Sequence, residues 1–147
     1  MPTSAVTFAL RDMTPADYSA VMELWNSAAG VRASESPAEI DRMLQRNPGL
    51  SCVAIASGAS GGEELAGAVL CGHDGRRGYL YHLAVADQFR RQALGRQLVD
   101  RCLARLRAEG IQRCTIFLVA GNAHGEAFWR QTGWFERTDL KAFAKDL

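Results

Sequence analysis

Apolar positions along the chain recur in two periods, and the switches between them outline the elements. Residues 6–11, largely apolar and ending at Arg11, read as a first strand. Thr14-Pro15-Ala16-Asp17 then carries the start signals of a helix: a capping Thr, Pro at the first helical position and an acid three residues after the cap. Tyr18, Val21, Met22 and Trp25 follow at helical spacing and form one apolar face. Ser36-Pro37-Ala38-Glu39 repeats the signal, and a second helix bearing Ile40, Met43 and Leu44 stops at Asn47-Pro48-Gly49. Strands are predicted at residues 51–56 and 64–71, joined by a flexible hairpin loop of small residues at 57–62. A second turn at residues 73–78 has Asp74-Gly75 as its signal and leads into a fourth strand over 79–86. Residues 93–109 predict a long helix with Leu94, Leu98, Cys102 and Leu106 on one face, ended by Gly110. Residues 114–120 are apolar at nearly every position, the pattern of a strand covered on both sides. A short helix over 122–132 closes at Gly133, and residues 134–145 are expected to supply one or two more strands.

This order places helices on both faces of a mixed sheet, an α/β arrangement. At 147 residues the chain has the size of a single domain, expected over 1–147. Its 17 basic and 16 acidic side chains nearly cancel, which excludes the strong basic field of a nucleic-acid binder. Cys52, Cys71, Cys102 and Cys114 form no C-x-x-C pair, and no His cluster lies at zinc spacing. They read as buried reduced thiols, with no metal site. Residues 1–10 lack the pattern of a signal peptide, and no window reaches the roughly 18 apolar residues of a membrane span. A cytoplasmic protein with no membrane partner is expected.

The chemistry concentrates where the fourth strand ends, a cation-rich turn follows and a helix begins at once: Leu83-Ala84-Val85-Ala86-Asp87-Gln88-Phe89-Arg90-Arg91-Gln92-Ala93-Leu94-Gly95-Arg96. Such a turn gathers backbone N–H groups at the positive end of a helix, which suits a pyrophosphate. Arg90, Arg91 and Arg96 add charge, and the small Ala93 and Gly95 allow close approach to the backbone. On physical grounds alone, a solvated helix start with ordinary surface arginines fits as well.

This stretch resembles motif A of the GNAT acetyltransferases, an L-x-V strand followed by the loop R/Q-x-x-G-x-G/A and a helix, with Arg90, Ala93 and Gly95 on the three fixed positions. Asn122-Ala123-His124-Gly125-Glu126-Ala127-Phe128-Trp129-Arg130-Gln131-Thr132-Gly133-Trp134 resembles the family's motif B, matched at Asn122, Gly125, Phe128, Trp129, Gly133 and Trp134. The element order matches too, so the resemblance covers almost the whole chain. The small stand-alone bacterial enzymes of the YpeA-like type are most similar.

The resemblance implies the acyl-CoA N-acyltransferase fold: a mixed sheet of six to seven strands flanked by about four helices, splayed between strands 4 and 5. It implies acetyl-CoA as cosubstrate and an amine, small molecule or peptide, as acceptor, acetylated by direct attack in a ternary complex. The pantetheine arm would lie along Leu83, Ala84 and Val85, and the diphosphate on the N–H groups from Arg91 through Gln92, Ala93, Leu94 and Gly95 to Arg96. Asn122 and Phe128 would flank the cofactor's far wall. Homodimers are common among such folds, so a homodimer stays open.

The chain departs from the family in three places. Ala93 stands where the first loop glycine is usual, at a cost of about 1 kcal/mol if that position needs positive φ. Ala86-Asp87 replaces the proline often seen after the strand, a harmless change. Trp129 stands where many relatives place a Tyr acid; an indole N–H donates a hydrogen bond but does not give up its proton. A thiol with pKa about 8.5 can leave unprotonated, so Trp129 either walls the site or packs in the core. Tyr79 and Tyr81 share a strand face with Leu83 by alternation, near where relatives keep a base. A Tyr with pKa near 10 is a poor base, so a water relay oriented by Tyr79 or Tyr81 is expected. His82 falls on the other face and reads as packing. His73 and Asp74 read as turn residues and His124 as a solvated first-turn residue, while Glu35 and Trp25 are candidates for acceptor contact. The alternative is a CoA-binding regulatory module that lost catalysis; a plain interaction domain would show no stabilisation by the cofactor.

Overall fold

The structure, a computed structural model, describes residues 6–58 and 61–147 and divides into two compact units, Met1–Phe117 and Leu118–Leu147. The first unit runs β1 (Thr7–Asp12), a short 3-10 turn, α1 (Tyr18–Ser27), α2 (Pro37–Arg46), β2 (Cys52–Ser57), β3 (Glu63–His73), β4 (Gly78–Val85), a second 3-10 turn, α3 (Leu94–Ala108) and β5 (Cys114–Ile116). The strands lie in the order β1-β2-β3-β4-β5. The first four are antiparallel neighbours, and β5 returns through α3 to pair parallel with β4.

Alternation along the strands feeds two layers. Val53, Ala68, Leu70 and Ala84 meet Val21, Leu24, Trp25 and Ile40 of α1 and α2. The opposite face packs on α3: Cys52 Sγ lies 3.9 Å from Cys102 Sγ, and a Cβ on Gly67 would come 2.9 Å from Leu98 Cδ1. Cys52, Cys71 and Cys102 are buried and unpaired, and burial pushes the Cys114 thiol up to about 11.

The helix starts form as their letters predict. Ser36 Oγ accepts from Glu39 N–H while Glu39 Oε1 accepts from Ser36 N–H, so each satisfies an amide the helix leaves free. Asp17 accepts from Thr14 N–H at 2.8 Å and takes both Arg11 Nη atoms at 2.8 Å. These donors, Arg11 first, hold the Asp17 carboxyl below the usual carboxylate range. Its stabilisation is therefore complete above the unfolded value of about 3.9 and is lost as pH falls through the lower folded value. Asp17→Asn is expected to cost about 1 kcal/mol at pH 7. Urea melts at falling pH should show the two proteins converging.

Three expectations need correction. The sheet has five strands, not six to seven, because residues 134–145 form no strand among the described residues. The run at 114–120 is a strand only over Cys114–Ile116, and it is half-buried rather than covered on both sides. As the sheet's edge strand it has a neighbour on one side only, and Phe117 is 64% exposed. Ala93 lies outside the helix, as the N-cap of α3. The small-residue loop closes through Gly58 N–H to the Gly62 carbonyl, but its residues 59 and 60 lie outside the described residues. Among the described residues no helix is long and apolar enough to cross a membrane.

In the second unit, α4 (Ala123–Gln131) is capped by Asn122, whose side-chain oxygen accepts from Gly125 N–H at 2.9 Å. Gly133, at φ +96°, closes it in the left-handed region.

Candidate active site

Among the described residues, three that are not glycine have positive φ: His82 at +58°, Arg91 at +64° and Ala93 at +60°. All three fall between the middle of β4 and the start of α3. Left-handed backbone costs a non-glycine residue about 1–2 kcal/mol, and such strain gathers where function requires a geometry.

The loop after β4 is pinned at both ends and free between. Phe89 is buried and meets the Phe8 ring edge-on at 5.5 Å, while Leu94 is buried at the first turn of α3. Arg90, Arg91, Gln92 and Ala93 between them are exposed. The first helical pairing is Gln97 N–H to the Ala93 carbonyl, so the amides of residues 91–96 precede the hydrogen-bond ladder and are available to an anion. Arg90 is held near the loop by Asp87 at 3.2 Å, and Arg96 lies 3.9 Å from Asp100. Ala93→Gly is expected to raise stability by about 1 kcal/mol, or roughly 2–4 °C in Tm, by removing the Cβ from a left-handed cap. A calorimetric scan of the two proteins checks this.

β4 is paired on its β5 side only from Gly78↔Cys114 to Leu80↔Ile116. From Tyr81 to Val85 that side has no strand partner among the described residues, the splay expected between strands 4 and 5. Beside its far end lies a cavity of about 150 Å³, lined by Leu24, Ser27 and Ala28 of α1 and by Val85, Ala86 and Arg90 among others. A second, open cavity of about 340 Å³ is lined by Tyr81, Leu70, Glu35 and α2 side chains.

Between these cavities β4 carries a bulge. Leu70 faces Tyr81, yet Ala68 faces Ala84, so β4 spends one extra residue here. The bulge overturns two expectations. Past it the alternation changes phase, so Ala84 rather than Leu83 shares the face of Tyr81. His82, expected on the opposite face, instead turns toward α1 and its following loop. Its Nε2 lies 2.6 Å from Glu35 Oε1, and its ring packs on Trp25 at 5.1 Å. Both partners are shielded, with side chains 16% and 28% exposed. The Tyr18 hydroxyl donates to the Glu35 carbonyl at 2.7 Å and fixes the loop that carries the acid. Trp25 is fully buried, and its Nε1 has no acceptor among the described residues. The pairing of Glu35 with His82 was not legible in sequence, since 47 residues separate them and only the bulge brings them together.

Tyr79 stacks on Tyr81 and on Phe117, with centroids 6.2 and 6.3 Å apart. Desolvation raises the Tyr81 hydroxyl above its ordinary value, so it is a weaker base still. Asp74 accepts from the N–H groups of Arg76 and Arg77, and His73 Nδ1 accepts from Gly75 N–H, the turn roles expected of them. In the second unit Trp129 sits edge-on between Phe128 and Trp134, at 5.0 and 4.8 Å. A Cβ on Gly125 would come 2.6 Å from Asn122 Nδ2, which explains the small residue three positions after the Asn.

Residues 18–134 match the family described as the Acetyltransferase (GNAT) family. The chain is 32% identical over 107 residues to an acetyltransferase of Pectobacterium atrosepticum, covering 72% of each. It is also 32% identical over 114 residues to one of Yersinia enterocolitica, covering 77% of each. Its fold is similar to the structure of the NatC complex bound to Gag peptide and CoA, with a TM-score of 0.74 at 16% identity over 89% of this chain and 86% of that one. With a family match across most of its length and two relatives named acetyltransferases at 32% identity, the chain belongs to the GNAT family of acetyltransferases.

Proposed function

We propose that this protein transfers the acetyl group of acetyl-CoA to a primary amine by direct attack in a ternary complex. The observation that carries the reading is the run of left-handed residues placing free amides and arginines next to an unpaired strand edge. Acetyl-CoA, when bound, supplies an acetyl group activated as a thioester. Amides 91–96, with Arg90, Arg91 and Arg96, are suited to its diphosphate. The main chain at Leu83, Ala84 and Val85, paired with β3 but open on its β5 side, is suited to its amide-bearing arm, because buried backbone groups require partners. In the second unit, Asn122 and Phe128 are the residues that the family resemblance assigns to the cofactor, and Trp129 lies in an aromatic cluster with Phe128 and Trp134.

An acceptor amine arrives protonated and must lose that proton before it attacks. His82 is suited to take it. With Nε2 donating to Glu35, the lone pair is left on Nδ1, so Glu35 acts as the positioning residue that selects the tautomer. Tyr79 and Tyr81 then orient the acceptor or a relaying water. The family match crosses both compact units, which supports one domain over 1–147. The three buried free thiols support a reducing, cytoplasmic location.

The test is a panel of amines with acetyl-CoA, reading free thiol, beside thermal stabilisation by CoA alone. Thiol release that depends on the amine supports transfer. Stabilisation without release from any amine supports the regulatory module instead, and no stabilisation at millimolar CoA overturns the cofactor site.

A further inference from the structure

The larger cavity carries a charge pattern that narrows the acceptor, an argument that rests on the transferase reading above. Its lining includes two acids, Glu35 and Glu39, and two cations, Arg42 and Arg46, which stand one helical turn apart on α2. The acids are already engaged. Glu35 meets His82 at 2.6 Å, and Glu39 Oε1 accepts from Ser36 N–H to cap α2. The cations are not: among the described residues neither Arg42 nor Arg46 has a carboxylate partner. Several arginines elsewhere do find one, as Arg11 does with Asp17, Arg101 with Asp12 and Arg130 with Glu126, so what sets Arg42 and Arg46 apart is that both line one cavity. Ile40, Met43 and Leu70 provide an apolar surface in the same cavity. Its volume of about 340 Å³ falls in the range of small-ligand sites, roughly 300–1000 Å³.

We infer that the acceptor is a small amine that also carries an anionic group, a carboxylate or a phosphate. Arg42 and Arg46 receive the anion, while the amine lies at the end of the cavity lined by Glu35, the partner of His82. The guanidinium fork matches either oxyanion with two parallel hydrogen bonds, which favours arginine over a point charge for this task. An amine held by its far end is also an amine whose nitrogen is placed, and placement is where much of the rate of a direct transfer originates.

Matched acceptors test the inference. Thiol release from acetyl-CoA is measured with α-amino acids against their amides, and with phosphoethanolamine against ethanolamine, for the native protein and for Arg42→Gln/Arg46→Gln. The anion-bearing member of at least one pair is expected to have the higher kcat/KM. The double variant should lower that preference by about tenfold, mainly through KM, as for a lost charge-assisted contact. The first pair reports a carboxylate and the second a phosphate. Turnover on neutral amines as good as on their anionic partners would overturn the inference and leave the transferase reading standing, as would a preference that survives the double variant. No release from any acceptor, with CoA still bound, would overturn both.

Discussion

His82→Gln is expected to lower kcat for amine acetylation by about 10²–10³, the usual contribution of a positioned acid–base group. Glutamine preserves a hydrogen bond to Glu35 but has no lone pair basic enough to take a proton from an ammonium group. The pH profile of kcat/KM should differ between the native protein and the variant. Tyr18 bonds the Glu35 carbonyl, and Tyr81, Glu39, Arg42 and Arg46 line the same cavity as Glu35, so the profile must be compared with that of Glu35→Gln. That substitution frees the imidazole tautomer without removing it, and a smaller loss, about tenfold, is expected. His82→Gly provides a second arm. Glycine adopts the +58° φ of this position without strain, so the chain should fold, and added imidazole should restore part of kcat. A His82→Gln enzyme with native kcat and an unchanged pH profile would leave the water relay at Tyr79 and Tyr81 as the remaining route.

Gly95→Tyr is expected to weaken acetyl-CoA binding about a hundredfold, about 2.7 kcal/mol, while leaving the fold intact. Gly95 lies in the first turn of α3, among the amides that precede Gln97. A phenol ring there fills the approach to those amides. It adds no strain to the helix, since tyrosine is the better helix former by a few tenths of a kcal/mol. The two effects therefore separate: the melting temperature of the free protein holds or rises, while its stabilisation by CoA shrinks. Gly95→Ala, which adds a single methyl, should lie close to the native protein. Unchanged affinity in Gly95→Tyr would place the diphosphate elsewhere.

The letters of this chain determined whatever is written within a few residues. The Ser36–Glu39 capping box, the Asp17 start, the Gly133 stop and the turn at Asp74 all read directly from sequence, because each bond closes across four residues or fewer. The loop from Arg90 to Gly95 was legible for the same reason, including the cost of alanine at a left-handed cap, since backbone sterics are local. Tertiary structure alone decided the rest. An apolar run at 114–120 does not say how far a neighbouring strand will follow it, and pairing ends at Ile116. Nor does a β4 sequence announce its bulge, which exists only as a mismatch of register with β3 and which inverted the expected facing of His82. The Glu35–His82 contact spans 47 positions, and Arg42 and Arg46 become a site only when α2 lies over the same cavity. Such pairings depend on how whole elements pack, a property that no window of neighbouring residues contains.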